Sequence, residues 1–243
     1  MRIVCGVQPV REAIRTHGAR LAKVVVVETT RADASPQLEA LARFARDQGA
    51  PVERLARAEV DRLARGVRHQ GAIAYAPELR VTSLAELELG ERPLLVALDE
   101  VQDPQNFGAV VRSAVAMSAS AVLWPEHRSA PLSPAMFRAS AGAIEHATLC
   151  RVTSLPNALG ELRERGVFVL GLDMAGPTTI DRVDLAGPVA VVVGAEGKGL
   201  RKPVKGACDA LARLPMPGPI ASLNASVAVA IALYEVLRQR GAR

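Results

Sequence analysis

Three short stretches carry the side chains whose types and spacing could serve a reaction. The C-terminal one, LPMPGPIASLNASVAVAIALYE (214–235), sets Ser222, Leu223 and Asn224 between a Pro- and Gly-rich loop and a long apolar run. Pro215, Pro217, Gly218 and Pro219 cannot continue regular helix, because proline lacks the amide donor and glycine gives up the most backbone freedom. Ser222 and Asn224 are both good N-cap types for the helix that follows. A hydroxyl, an amide and the free backbone donors of a helix start then meet at one point, where a polar ligand is easily held, although an ordinary capped helix uses the same residues. The second stretch, DEVQDPQNFGAVVRSA (99–114), follows an apolar strand. Asp103 before Pro104 is a helix-start signal, and Asn106 is an equally plausible cap. Arg112 falls in the first two or three turns, where a cation gains nothing from the helix dipole; an anionic ligand accounts for it, and so does plain solvation. The third stretch, GAEGKGL (194–200), is a glycine-rich loop entered from a β-branched strand.

Several chemistries are excluded by what is missing. GAEGKGL lacks the GxxxxGK-Ser/Thr of a Walker loop and the GxGxxG spacing of a dinucleotide fingerprint, and it lies near the C-terminus rather than in a first βα turn. Cys5, Cys150 and Cys208 are far apart and odd in number, without a CxxC or nearby His, so neither a disulfide framework nor a metal site is expected. His17, His69, His127 and His146 are equally scattered, and no hydrolytic triad is legible.

The elements that must position these residues follow from periodicity. Gly6–Thr16 reads as a short amphipathic helix, Lys23–Glu28 as a buried strand, Gln37–Gln48 as a helix, Pro51–Leu55 as a strand, Ala58–Ala64 as a helix and Gly71–Ala76 as a last strand. Residues 78–92 read as a polar linker with a short helical stretch at Leu84–Leu89. Beyond it, strands at Pro93–Leu98, Ala121–Trp124, Val167–Leu170 and Pro188–Val193 alternate with helices, including Leu155–Arg165. Strands that are apolar throughout, alternating with helices, predict a parallel sheet covered on both faces, with ligands bound beyond the carboxyl ends of the strands. The run Val227–Leu237 is apolar on nearly all sides and predicts a core helix.

The chain of 243 residues is 49% hydrophobic and 23% charged, with no apolar run near the roughly 20 residues that span a bilayer. MRIVCGVQPVREAI lacks an apolar h-region, so a cytoplasmic location is expected, without membrane partners. The net charge of +5 is unevenly spread: residues 1–80 hold 14 Lys plus Arg against 9 Asp plus Glu, and residues 81–243 hold 16 of each. A cationic module joined to a neutral one suits an enzyme that grips an anionic polymer through phosphate contacts, while solvated Arg-rich helices give the same count. Aromatic residues are only 3% of the chain, which argues against a stacking platform for bases.

The three polar stretches together resemble the three ordered motifs of the SpoU (TrmH-like) RNA ribose 2'-O-methyltransferases. The likeness runs over residues 93–240, with Ala225 where a valine usually follows the Ser-Leu-Asn. His69-Gln70-Gly71 before an apolar strand resembles, more loosely, the close of the L30e-like substrate-binding domain that precedes many such enzymes. The resemblance implies an α/β protein with an L30e-like RNA-binding domain (1–77), a linker (78–92) and a trefoil-knotted SPOUT methyltransferase domain (93–243). It further implies a homodimer with the site at the interface, S-adenosylmethionine as methyl donor, no metal, and RNA as substrate. Residue by residue, it places Arg112, Asn106, Glu196, Ser222 and Asn224 in catalysis. Gly194, Leu214, Leu223, Leu172, Met216 and Gly218 fall to the cofactor, the first glycine letting it approach the backbone. Arg128 and Arg112 fall to RNA, with Ser129 and the run 140–145 shaping an RNA-facing surface. The expected substrate is a guanosine of 23S rRNA. A tRNA substrate, a non-catalytic RNA-binding protein and, from the glycine-rich loop, a nicotinamide oxidoreductase are the competing readings.

Overall fold

A computed structural model of the chain describes residues 1–28, 35–195, 197–219 and 222–241. They divide into two compact units, Met1–Leu79 with Ser140–His146, and Arg80–Ala139 with Ala147–Arg243.

The first unit is built on a four-stranded sheet. Its strands are β1 (Arg2–Cys5), β2 (Lys23–Val27), β3 (Val52–Leu55) and β4 (Ala72–Ala76), in the order β1-β4-β2-β3. β4 runs antiparallel to both neighbours, and β2 and β3 are parallel. Helices α1 (Val7–His17), α2 (Pro36–Asp47) and α3 (Arg57–Ala64) bury Val10, Ile14, Leu38, Leu41 and Val60 against the Val24–Val27 run. The segment 140–146 completes this unit. Ser140, Ile144 and Glu145 are buried, Arg2 makes a bidentate ion pair with Glu145, and His17 Nε2 lies 2.9 Å from the same carboxylate. Glu145 thus belongs to a packed ion-pair network that its burial requires, while Ala141 and Ala143, in the run expected to shape an RNA-facing surface, stay half-buried.

The second unit holds an eight-stranded sheet. Its strands are β5 (Val81–Thr82), β6 (Leu94–Asp99), β7 (Ala121–Pro125), β8 (Leu149–Val152), β9 (Phe168–Leu172), β10 (Thr178–Thr179), β11 (Val189–Gly194) and β12 (Ala210–Arg213). They lie in the order β10-β12-β9-β11-β6-β7-β8-β5, and every pairing is parallel. The helices are α4 (Pro104–Ala116), α5 (Pro134–Ala139), α6 (Leu155–Glu164), α7 (Lys202–Ala207) and α8 (Ala225–Gln239). Every residue of β6, β7 and β11 is buried, as a sheet covered on both faces requires. Leu95, Ala97, Ala190 and Val192 pack with Leu155, Leu159 and Leu162 of α6 and Val204 of α7. Alternate residues such as Val96, Leu98, Val191 and Val193 are buried on the other face, where α8 meets β11 and α4 meets β7. On that side Phe107 meets Trp124 edge to face, centroids 5.3 Å apart.

Two expectations change. The segment read as a linker contributes β5 to the large sheet, and Leu84 and Leu87 form a buried turn there instead of a helix. Helix α8 is not buried all round: Val227, Ile231 and Tyr234 are 45%, 40% and 62% exposed, one stripe at helical spacing.

Candidate functional site

β11 was added between β6 and β9, both earlier in sequence, and β12 lies on the far side of β9. The carboxyl ends of β9, β11 and β12 are thus neighbours, and a cleft of about 340 Å³ opens there. Leu172 ends β9, Gly194 ends β11, Leu214 follows β12, and Met216, Ser222 and Leu223 close the cleft from the loop before α8. Five of the six residues expected at a cofactor therefore meet in one place. Gly218 sits on the exposed part of that loop, outside the cleft lining.

Gly194 lines the cleft and is also needed for the fold of the loop itself. A Cβ there would collide with the carbonyl group of Gly199, since the loop folds back so that Ala195 bridges Gly199. Gly197 and Gly199 complete the return with φ of 73° and 65°, where a side chain is strained. Glu196, expected in catalysis, lies outside the described residues.

The loop is anchored by a residue that sequence reasoning missed. Asp99, 1% exposed at the end of β6, accepts from the Arg201 backbone N at 2.8 Å and from its Nε at 2.7 Å, which holds the Arg201 guanidinium above its ordinary pKa. Glu100 takes Arg201 Nη1 at 3.1 Å and Arg128 Nη1 at 3.3 Å, so Arg128, expected at RNA, stands on the surface beside this anchor. Asp173, just past β9, was also missed; it lines the cleft, pairs with Lys205 at 2.5 Å and accepts from the Ala175 backbone N at 2.9 Å. Asp99 and Asp173 share the one signal available: a carboxylate closing an apolar strand.

Beside the cleft, the first turns of α4 and α8 are joined. Asp103 is the N-cap of α4, its carboxylate accepting from the backbone N of Gln105 and Asn106 at 3.0 and 3.3 Å. Asn106 is consequently inside the helix and buried, its Oδ1 accepting from Asn224 Nδ2 at 2.7 Å. Asn224, the N-cap of α8, uses its own Oδ1 to accept from the Ser226 backbone N and hydroxyl at 2.9 and 2.6 Å. The two asparagines are thus mutually oriented, and Ser222 sits on the cleft side of the pair. Arg112 is not in the cleft lining of its own chain. It is exposed on α4 without an ion pair among the described residues, next to Ser113, which borders a shallow groove of about 390 Å³ with Ser226, Val227, Ala230, Ile231 and Tyr234. Among the described residues no group of His, Cys, Asp and Glu could hold a metal, and no helix is long and apolar enough to cross a membrane.

The fold is one known elsewhere. A protein of Mycolicibacterium vanbaalenii named as a tRNA/rRNA methyltransferase is 41% identical over 243 residues, covering 98% of this chain and 76% of its own. An AdoMet-bound rRNA methyltransferase from Sinorhizobium meliloti superposes with a TM-score of 0.76 at 25% identity, over 97% of this chain and 86% of its own. A crystal structure of an RNA 2'-O ribose methyltransferase gives 0.79 at 27% identity, over 98% and 88%. Residues 3–82 match the RNA 2'-O ribose methyltransferase substrate-binding family. Residues 93–234, which hold the cleft and both asparagines, match the SpoU rRNA Methylase family, and it is to this family that the chain belongs.

Proposed function

We propose that the chain transfers a methyl group from S-adenosylmethionine to a ribose 2'-OH of RNA, at a guanosine of 23S rRNA. The observation that carries this reading is the cleft at the ends of β9, β11 and β12 set directly against the Asn106–Asn224 pair. An rRNA substrate is supported by the Sinorhizobium neighbour, whose likeness extends over both units of this chain.

The cleft fits the donor. Its volume lies in the range of small-molecule sites, about 300–1,000 Å³, with the apolar lining and few polar groups usual there. Leu172, Leu214, Met216 and Leu223 would hold the apolar parts, and Asp173, Lys205 and Ser222 the polar ones. When bound, S-adenosylmethionine supplies a methyl group made electrophilic by a sulfonium. The rest falls to this chain's residues. A hydroxyl is a poor nucleophile, and holding it in line with the methyl is worth roughly 7 to 11 kcal/mol. Asn106 and Asn224, locked to each other, orient the ribose or the arginine beside it. Arg112 grips the adjacent phosphate and stabilises the oxygen as its proton passes to solvent water; a guanidinium holds its own proton too tightly to serve readily as the base, so the charged clamp is the easier role.

The finer architecture of the resemblance belongs to the same proposal. The first unit is L30e-like, with a boundary near residues 77–92. The insertion of β11, the folded-back loop after it and the return of α8 onto β11 fit a trefoil knot. The exposed stripe of α8 beside Arg112 suits a homodimer in which each Arg112 serves its partner's cleft. The location is cytoplasmic, where rRNA is modified.

The test is methyl transfer from radiolabelled S-adenosylmethionine to total RNA from a strain lacking this gene, followed by size separation and nucleoside analysis. Label as 2'-O-methylguanosine in 23S rRNA is expected. Label in tRNA would overturn the substrate and keep the chemistry; no label in free RNA or ribosomal particles would overturn the chemistry.

A further inference from the structure

We propose that the first unit holds an unpaired RNA nucleotide at Gln70, its base edge met by the amides of Gln37 and Gln70 and its flanking phosphates by Arg11, Arg57 and Arg68. This deepens the RNA reading above and rests on it. Two cavities, of about 590 and 630 Å³, are both lined by Gln70. The first is bordered by Val7, Gln8, Arg11, Gln37 and Leu41, the second by Arg57, Asp61, Arg68 and His69.

Gln70 is held where a side chain is disfavoured. Its φ is 52°, in the left-handed region, and the neighbours enforce it: buried His69 accepts from the Gly71 backbone N at 3.0 Å through Nδ1, and so donates from Nε2 to Asp61 at 2.7 Å. Such strain persists where the surroundings over-determine it, and it marks functional positions. Gln70 Oε1 accepts from the Val7 backbone N at 3.3 Å, and its amide nitrogen has no partner among the described residues. Gln37 is exposed in the same cavity.

The charges point the same way. In this unit Arg2, Arg15, Arg54 and Arg62 are paired with carboxylates; of the arginines without an ion pair among the described residues, Arg11, Arg57 and Arg68 are those that line the two cavities. The nearby acids are already used, Glu12 by Gln8, Arg15 and His146, and Asp61 by His69. Amides that both donate and accept suit base edges, and cations without counter-ions suit phosphates. Base edges of RNA are offered by unpaired nucleotides, since the deep groove of a duplex is closed to side chains. With no aromatic residue lining either cavity, hydrogen bonding rather than stacking would recognise the base.

The full chain is photocrosslinked to 23S rRNA carrying 4-thiouridine, and binding is measured against salt. Crosslinks are expected in peptides spanning 6–11, 35–41 and 66–71. Gln70→Gly removes the amide while relieving the backbone, and is expected to weaken binding about tenfold, as loss of a base-edge contact does. Arg57→Gln with Arg68→Gln is expected to lower the salt slope by about 1.4, two phosphates at about 0.7 each. Both variants should raise KM for RNA at unchanged kcat and unchanged affinity for S-adenosylmethionine. Binding within twofold of wild type at an unchanged slope, or crosslinks confined to the second unit, overturns the inference while the methyltransferase reading stands. A wild-type chain that neither binds nor methylates RNA overturns both.

Discussion

In the proposed reaction Arg112 is the residue on which the chemistry turns, and it stands exposed with no ion pair among the described residues. As a charged clamp it matters only when phosphate and developing negative oxygen are present. Arg112→Ala is therefore expected to lower kcat by about 10²–10³, the usual effect of removing such a donor, with calorimetric affinity for S-adenosylmethionine within twofold of wild type. Arg112→Lys should recover only part, because an ammonium lacks the two-pronged geometry. Near-normal turnover of the alanine variant would remove Arg112 from the mechanism. The cysteines take no part in it: burial pushes the Cys150 thiol up to about 11 and the Cys208 thiol up to about 12. Both are raised above the unfolded value, so the folded chain keeps protons that the unfolded chain sheds. Stability from this source is whole below pH 9 and declines as pH rises toward 11–12. At pH 8 a thiol reagent is expected to label Cys150 and Cys208 only after denaturant is added. Asn106, Arg112, Ser222 and Asn224 could be picked out because polar residues stand out beside apolar runs and proline turns. Asp99 and Asp173 offered only the weaker signal of a carboxylate closing an apolar strand, because their partners Arg201 and Lys205 lie far along the chain.

At the scale of elements, helix starts and loop closures place these groups. Of the two caps proposed for α4, Asp103 is the one used, and that places Asn106 inside the first turn, aimed at α8. Asp103→Ala is expected to cost about 1 kcal/mol, lowering the melting temperature by about 2–4 °C, with Asp103→Ser close to wild type. No change in melting temperature would show that the cap adds nothing to α4. Gly194→Ala is a harsher change: the new methyl meets the backbone of Gly199, and no rotamer relieves it. It is expected to destabilise by about 1–3 kcal/mol and to abolish binding of S-adenosylmethionine in calorimetry. Retained binding would mean that the loop closes by another path. β6, β7, β9 and β11 were legible because strands buried on both faces are apolar throughout. β8, with exposed Arg151, and β12, half-buried beside the sheet edge, carry no such run and were missed.

At the scale of the whole molecule, local pattern no longer decides. An apolar strand does not state its neighbours, so the placement of β11 between β6 and β9, which creates the cleft, could not be read from periodicity. Helix α8 shows the same limit: its composition is that of a buried helix, yet Val227, Ile231 and Tyr234 face outward in one stripe. Three large apolar side chains at helical spacing, next to an unpaired arginine, would be an unusual surface for a monomer and an ordinary one for half of an interface. The stripe can be tested without disturbing the core, because Ile231 is 40% exposed and the opposite side of α8 supplies the buried Val229, Leu233 and Val236. Wild-type protein is expected to show twice the 25.7 kDa chain mass by light scattering. Ile231→Glu, which brings two copies of a carboxylate into the seam, is expected to show the single mass with an unchanged circular dichroism spectrum. If Arg112 serves the partner's cleft, that monomer also loses methyl transfer, although its own cleft is intact. A monomeric variant with full turnover would confine the reaction to one chain and leave Arg112 to be explained from its own cleft, whereas a variant that stays dimeric would move the interface off α8.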